Sequence, residues 1–417
     1  MTIPAPGAEP GRIARWTRHE LDALTVARPA LAAALQRLWG WPDAVAMVLA
    51  AITAGSLAAV IPGGDAGLFR DAGTGMMGPH FFDVFSNGGL QIGPIYLTVV
   101  GSLAWVLNLA GLPLLTRTLL AAAQAVLLLW CALALVRRCA RRAGVADIAP
   151  RWAVGLLLAI GGFLAEATGN GHPEEILVGL LLAHAALWAV EGRGALAGLA
   201  LGLAGGLKQW AVFGGGVLLL GRRWRVVLVG AGVALLVVAV LYGPFFAFGT
   251  VRTYSFQWGF DDRSVLGRLG AEWGLSDWGM RVIQAAAAGA AGAWAAWRRR
   301  HDPLVPVVVA ISVRLLLDPL RLTYYSGPLV VVLAVWAWTS TAPAVVRWRI
   351  PLTLLAPVTV IAPYLLPQDA TWFAGTALLL AALAVVLATP ADRSAERGDQ
   401  VAAAADETTA PATTLVR

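Results

Sequence analysis

Apolar runs of roughly 15–24 residues recur along this chain from about residue 44 to residue 389, the length a helix needs to cross a hydrocarbon core of about 30 Å. Hydrophobic residues make up 59% of the 417 and charged residues 13%, against about 25% charged in a typical soluble domain. The pattern predicts an all-α polytopic membrane protein. The net charge of +7 does not point to nucleic acid, because the arginines sit in short loops between apolar runs, as cytoplasmic anchors do. Cys131 and Cys139 have the spacing of neither a metal site nor a disulfide framework.

Three regions are expected. Residues 1–43 are read as a cytoplasmic segment carrying Arg12, Arg15, Arg18, Arg28 and Arg37, with an amphipathic surface helix over about 17–40 and no cleavable signal. Residues 44–389 form the membrane domain, and the tail 390–417 is expected to be disordered. The first span, 44–62, ends at Pro62-Gly63-Gly64, and an outer loop, 63–94, follows. The run 95–112 is apolar enough to cross. A full crossing, however, would turn the basic block Arg137–Arg142 outward, so 95–112 is placed along or into the outer leaflet. Spans follow at 116–136, 151–167 and 176–190.

Residues 194–221 lie between basic flanks and must go out and return. Halves of about 14 residues rise only about 21 Å each, so they are expected to be short, tilted or re-entrant, with Lys208 near the tip. Spans at 226–248, 279–297 (ending Arg298-Arg299-Arg300), 303–317, 322–341, 351–366 and 371–389 bring the count to twelve crossings, with both termini cytoplasmic. Trp258, Trp273, Trp278 and Trp372 are expected in the interfacial aromatic belt.

On this topology the outer face collects Asp65, Asp71, Asp83, Glu174, Glu175, Asp261, Asp262 and Asp318 with His80, His172, Lys208 and Arg321, while the cytoplasmic face collects mainly arginines. Asp65 follows the Gly-Gly turn at the end of the first span. It reads either as a general base or as a turn aspartate bonded to nearby backbone, and Asp71, beside Arg70, shares the ambiguity. In His172-Pro173-Glu174-Glu175, Pro at the first helical position with acids behind it is ordinary helix-start chemistry. That does not explain His172, nor acids at the edge of a lipid-facing span, so a substrate-binding wall or a divalent-cation site at His172, Glu174 and Glu175 is the functional reading. Lys208 needs an anionic partner, whether a phosphate, Glu174 or Glu175, unless it snorkels to the headgroups. Arg314, Asp318 and Arg321, followed by Tyr324-Tyr325, read as an internal ion pair or as a phosphate clamp with aromatic walls.

The order of these features resembles the GT-C superfamily of integral-membrane glycosyltransferases, and within it the actinobacterial polyprenyl-phosphate-mannose-dependent mannosyltransferases. The features are an acidic first outer loop, the stretch Gln91-Ile92-Gly93-Pro94-Ile95-Tyr96, a second acidic loop at Gly171–Glu175, and Ala197–Leu203 leading to Lys208. The resemblance covers roughly 44–335 and departs at Gly93-Pro94, where many relatives carry Pro-Pro. It implies a GT-C-like bundle in a bacterial plasma membrane and a polyprenyl-phosphate sugar donor, with mannose or another hexose or pentose as the sugar. The acceptor would be a cell-envelope glycan or lipid on the outer face, where nucleotide sugars are absent. Asp65, four residues before Phe69, maps onto the essential acid, with Asp71 in reserve. His172, Glu174 and Glu175 map onto the second acidic loop; Gln91, Lys208, Arg314, Asp318, Arg321, Tyr324 and Tyr325 are further substrate-binding candidates, and Lys208 or Arg321 would meet the leaving phosphate. The rival expectation is a transporter or flippase, which would use a Gly-broken half-span such as 194–221 for binding.

Overall fold

A computed structural model describes residue 20 and residues 22–60, 63–112, 115–255, 259–299 and 301–389. Arg12, Arg15, Arg18, Pro62, Trp258, Arg300 and the tail 390–417 lie outside the described residues. The described residues form helices and no strand, the arrangement that lets backbone polar groups satisfy one another inside lipid.

Among the described residues, six helices are long and apolar enough to cross a membrane: Pro42–Val60, Thr116–Arg142, Pro173–Val190, Trp224–Phe248, Pro343–Ile361 and Gln368–Ala388. Ala149–Ile160 and Phe163–Asn170, bent by 41° where they meet, make a seventh if the pair is one span. Length therefore supports six or seven of the twelve expected crossings. The remainder fall on shorter helices such as Val305–Leu316, whose 12 residues rise only about 18 Å. The bend has a local cause, since Gly162 adopts the left-handed conformation (φ 87°) that a Cβ disfavours and so ends one helix before the next begins.

The run expected to lie along the outer leaflet is the helix Pro94–Leu109, which packs against the helix Ala66–Gly75. The stretch 194–221 is, as expected, two short segments, Gly194–Leu207 and a 3-10 stretch Gln209–Gly221, with Lys208 in extended conformation between them.

The loops expected outside meet at one end of the bundle. The Arg252 amide donates to the Phe85 carbonyl at 2.8 Å and the Asp261 amide to the Pro319 carbonyl at 2.7 Å, while Arg263 bonds Asp369 at 2.8 Å. The basic loops meet at the other end. Asp43 pairs with Arg137 and, at 2.8 Å, with Arg151, and Arg138 pairs with Glu191 at 2.8 Å. The helix Pro29–Trp39 sits at this end, with Trp39 stacked on Trp152.

Candidate active site

Asp65 occupies the N-cap position of the helix Ala66–Gly75, yet its side chain makes no capping bond. The turn-aspartate reading would have the carboxylate bonded to nearby backbone. Instead Asp65 Oδ2 lies 3.1 Å from His172 Nε2, across 107 residues of chain. Gly171 makes this possible. It turns the chain through a left-handed conformation (φ 91°), and a Cβ there would stand 2.4 Å from the Ala66 backbone nitrogen.

His172 is buried and flanked by carboxylates, since its Nδ1 lies 2.9 Å from Glu174 Oε1. An imidazole with an acceptor on each nitrogen satisfies both only as the doubly protonated cation. Burial works against that charge, but Glu174 and Asp65 outweigh it and hold the His172 pKa above the ordinary imidazole value. The His172 hydrogen bond, opposed by partial burial, holds the Asp65 carboxyl below its ordinary range. Tyr324 lies on one face of the imidazole and the edge of Phe69 packs against the ring at 5.1 Å.

The chain of charges continues inward. Lys208 Nζ is 3.2 Å from Glu174 and 3.6 Å from Glu175, and it donates to the Gln91 carbonyl at 3.4 Å. Trp210 Nε1 donates to Glu175 at 3.1 Å. Three carboxylates (Asp65, Glu174, Glu175) thus alternate with two cations (His172, Lys208). Only Asp65 opens outward, its side chain 52% exposed against 8% or less for the others. The Gln91 side chain does not face this cluster. It donates to the Gly88 and Thr253 carbonyls and ties two loops together.

The cation-site expectation for His172, Glu174 and Glu175 does not fit this arrangement. Both His172 nitrogens are spent on carboxylates, and the Lys208 ammonium already bridges Glu174 and Glu175. Among the described residues, no group of three or more His, Cys, Asp or Glu side chains is placed to hold a metal. Pro173, Glu174 and Glu175 do start a helix, as the simpler reading held, but both acids are also buried against Lys208.

Asp71 is not part of the cluster; its side chain is 72% exposed and pairs with Arg70 at 3.0 Å. Arg314 and Asp318 form an internal network. Asp318 accepts from Arg281 at 2.8 Å and lies 3.7 Å from Arg314, whose guanidinium stacks on Trp210 at 4.1 Å and on Tyr325 at 5.0 Å. Arg321 stands apart from this network, on a different cavity. Sequence reasoning passed over Trp210, Arg281 and Glu166. The last two were visible as lone charges inside apolar runs, a costly placement that marks a partner.

Two cavities flank the Asp65 turn. One, of about 160 Å³, is lined by Gly63, Ala66, Gly67, Arg70, Tyr96 and Arg117 among others. The second, of about 210 Å³, is lined by Glu166, Gly169, Asn170 and Tyr364 with apolar neighbours. Glu166 accepts hydrogen bonds from Tyr364 at 2.6 Å, Asn170 at 2.7 Å and Thr323 at 2.9 Å. Asp65 itself lines neither cavity; its neighbour Ala66 lines the one that bears two arginines, and Asn170, beside Gly64, lines the one that bears an acid, an amide and a phenol.

The sequence model of Glycosyltransferase family 87 matches residues 93–320, more than half of the chain. The match includes His172, Glu174, Glu175, Lys208, Arg314 and Asp318; Asp65 precedes it and Arg321 follows it. No curated protein matches the chain.

Proposed function

The chain belongs to glycosyltransferase family 87 and is a multi-pass membrane glycosyltransferase; on that premise we propose that it moves a sugar from a polyprenyl-phosphate donor onto a cell-envelope glycan or lipid, with inversion at the anomeric carbon and Asp65 as general base. The observation that carries this reading is the Asp65–His172 pair, a partly exposed carboxylate held by a buried imidazolium, whose chain neighbours Ala66 and Asn170 line two cavities.

In the proposed reaction the acceptor hydroxyl attacks C1 of the donor sugar as its proton passes to Asp65. The bond between C1 and the phosphate oxygen breaks, and polyprenyl phosphate leaves with the electron pair. Because His172 keeps Asp65 ionised, the base is ready at neutral pH. Its weakness is tolerable, since the attacking hydroxyl becomes strongly acidic only as its bond to C1 forms. Glu174 holds His172 in place, and Lys208 bridges Glu174 and Glu175. The mannosyl identity of the donor and the bacterial plasma membrane belong to this proposal and rest on the sequence resemblance, while the cytoplasmic termini, the outward-facing site and the 1–43, 44–389 and 390–417 division belong to it and rest on the pattern of charge and hydropathy.

The test is transfer of radiolabelled sugar from polyprenyl-phosphate sugar in membranes, comparing wild type with Asp65→Asn and Glu174→Gln. Undiminished transfer in both variants sinks the site assignment. One observation favours the transporter reading, the extended break at Lys208 between two short apolar segments. Against it, that break is filled by Glu174 and Glu175 from the protein itself.

A further inference from the structure

At the end of the bundle where the basic loops meet, Arg222-Arg223-Trp224-Arg225 carries the chain from the 3-10 stretch Gln209–Gly221 into the helix Trp224–Phe248. All four side chains are exposed, and among the described residues none of them makes an ion pair, a hydrogen bond or a ring contact. The turn Glu191-Gly192-Arg193 lies against this one. A Cβ on Gly194 would stand 2.8 Å from the Val226 carbonyl oxygen, and one on Gly221 3.0 Å from that of Ala189. Glu191 is the acid of that turn, and it is taken by Arg138 at 2.8 Å, with Arg193 at 3.9 Å. Two cations thus already face one carboxylate, and Arg222, Arg223 and Arg225 are left without a counter-ion.

Arg222 closes the 3-10 stretch in the left-handed conformation (φ 52°). At every other described position with positive φ the chain carries glycine. A Cβ makes this conformation costly, and a glycine would remove the cost. An arginine kept there holds a charge in the turn against a local penalty, the pattern of a position retained for function. The helix that follows is the least buried of the six spanning helices. Arg225 stands at the head of one exposed stripe on it, Leu228, Gly232, Leu235 and Ala239, at alternating intervals of three and four residues. A Cβ on Gly232 would meet nothing within 4 Å, so the stripe is open at mid-length. Trp224, 76% exposed, sets an indole where headgroups meet hydrocarbon.

We propose that the Arg222–Arg225 turn binds the headgroup phosphate of an anionic phospholipid whose acyl chain lies along the stripe below Arg225. Guanidinium forks match phosphate oxygens in shape as well as charge. The selectivity is one of net charge. A zwitterionic lipid would bring its own ammonium into the field of three uncompensated arginines, whereas an anionic one supplies the missing counter-charge. Each basic side chain near a negatively charged lipid surface strengthens binding about fivefold. The inference is independent of the transfer chemistry, because this turn and the Asp65 cluster lie at opposite ends of the bundle. The helix Pro42–Val60 begins beside Asp43 and the basic loops and ends ahead of Asp65.

The experiment titrates the purified, delipidated full-length protein in detergent with dioleoylphosphatidylglycerol, dioleoylphosphatidylcholine or inorganic phosphate and reads the shift in unfolding temperature. Wild type should bind the phosphatidylglycerol about tenfold or more tightly than the phosphatidylcholine, with no shift from inorganic phosphate over the same range. The double variant Arg223→Gln with Arg225→Gln changes only exposed side chains and should weaken phosphatidylglycerol binding about 25-fold, two steps of fivefold. Arg222→Gly gives effects of opposite sign. Relief of the left-handed backbone should raise the unfolding temperature of the lipid-free protein, while loss of the guanidinium should weaken phosphatidylglycerol binding about fivefold. Arg347→Gln, an exposed arginine on the helix Pro343–Leu365, should leave the affinity unchanged. Unchanged affinity in the double variant or in Arg222→Gly overturns the proposal. Equal weakening in Arg347→Gln reduces the effect to overall charge and overturns the site. Equal binding of the phosphatidylcholine overturns the selectivity for an anionic lipid, and an equal shift with inorganic phosphate makes this a soluble-anion site and overturns the lipid assignment.

Discussion

Tyr324 lies flat on the His172 imidazole, with ring centroids 3.8 Å apart and planes within 8° of parallel. The stack fixes the plane in which His172 reaches Asp65 on one side and Glu174 on the other. Tyr324→Phe keeps the ring and should transfer sugar at close to the wild-type rate. Tyr324→Ala removes it and should slow transfer by up to about tenfold, the upper range for an aromatic pair. Equal rates in the two variants would show that the stack does not position the imidazole.

The two shifted groups give a pH dependence of defined sign. The folded His172 pKa lies above its ordinary value of 6.5, so its contribution to stability is complete below that value and is lost as pH rises through the raised pKa. The folded Asp65 pKa lies below its ordinary 3.8, so its contribution is present above that value and is lost as pH falls through the depressed pKa. Transfer should therefore decline as pH rises through the raised pKa and His172 loses its proton. In His172→Gln that alkaline limb should disappear from the kcat/KM profile. A limb that persists unchanged would assign it to another group.

Asp65→Asn should lower kcat by about 10²–10⁴-fold, the usual range for a positioned general base, while leaving KM for the donor close to wild type. Asp71→Asn should leave transfer intact, because Asp71 is exposed and pairs only with Arg70. The reverse pattern would move the base to Asp71.

Lys208→Met should destabilise the protein by about 3–5 kcal/mol, since it leaves Glu174 and Glu175 buried with their bridging cation removed. Adding Glu175→Gln to Lys208→Met should recover part of that loss. Thermal unfolding of the purified variants reads both effects, and additive losses in the double variant would deny the coupling.

Gly171→Ala tests the turn that brings Asp65 to His172. The left-handed backbone and the Ala66 nitrogen 2.4 Å from the added Cβ leave no room for the methyl group without displacing Asp65. Transfer should fall along with unfolding temperature, whereas Gly169→Ala, where a Cβ meets nothing within 4 Å, should leave both near wild type.

Much of this site was legible because charge stands out against an apolar background. His172, Glu174, Glu175 and Lys208 were each conspicuous for that reason, and the break at Lys208 followed from two basic flanks set too close for two full crossings. Asp65 and Asp71 were alike in residue type and setting, both in one Gly-rich loop, and only the resemblance ranked Asp65 first. Six positions on a helix of 3.6 residues per turn send them in different directions, and only the helix Ala66–Gly75 shows which one faces His172. The alternative of a cation site stayed open in the sequence for a related reason. The acids were visible, but residue types do not reveal that Lys208 lies between them. The Arg314 stack on Trp210 and the Arg281 bond to Asp318 join residues far apart in the chain, and no local pattern announces such a contact.

The alternation from Asp65 through His172, Glu174 and Lys208 to Glu175 also bears on how the chain is assembled in the bilayer. The Lys208 segment is made after the helix Pro173–Val190 and brings a charge that lipid alone does not tolerate well. It can settle only where Glu174 and Glu175 are already waiting, and they in turn are at rest only once it arrives. The cluster thereby ties the register of the Lys208 segment to that of the helix Pro173–Val190, since any other register leaves these charges unpaired in hydrocarbon.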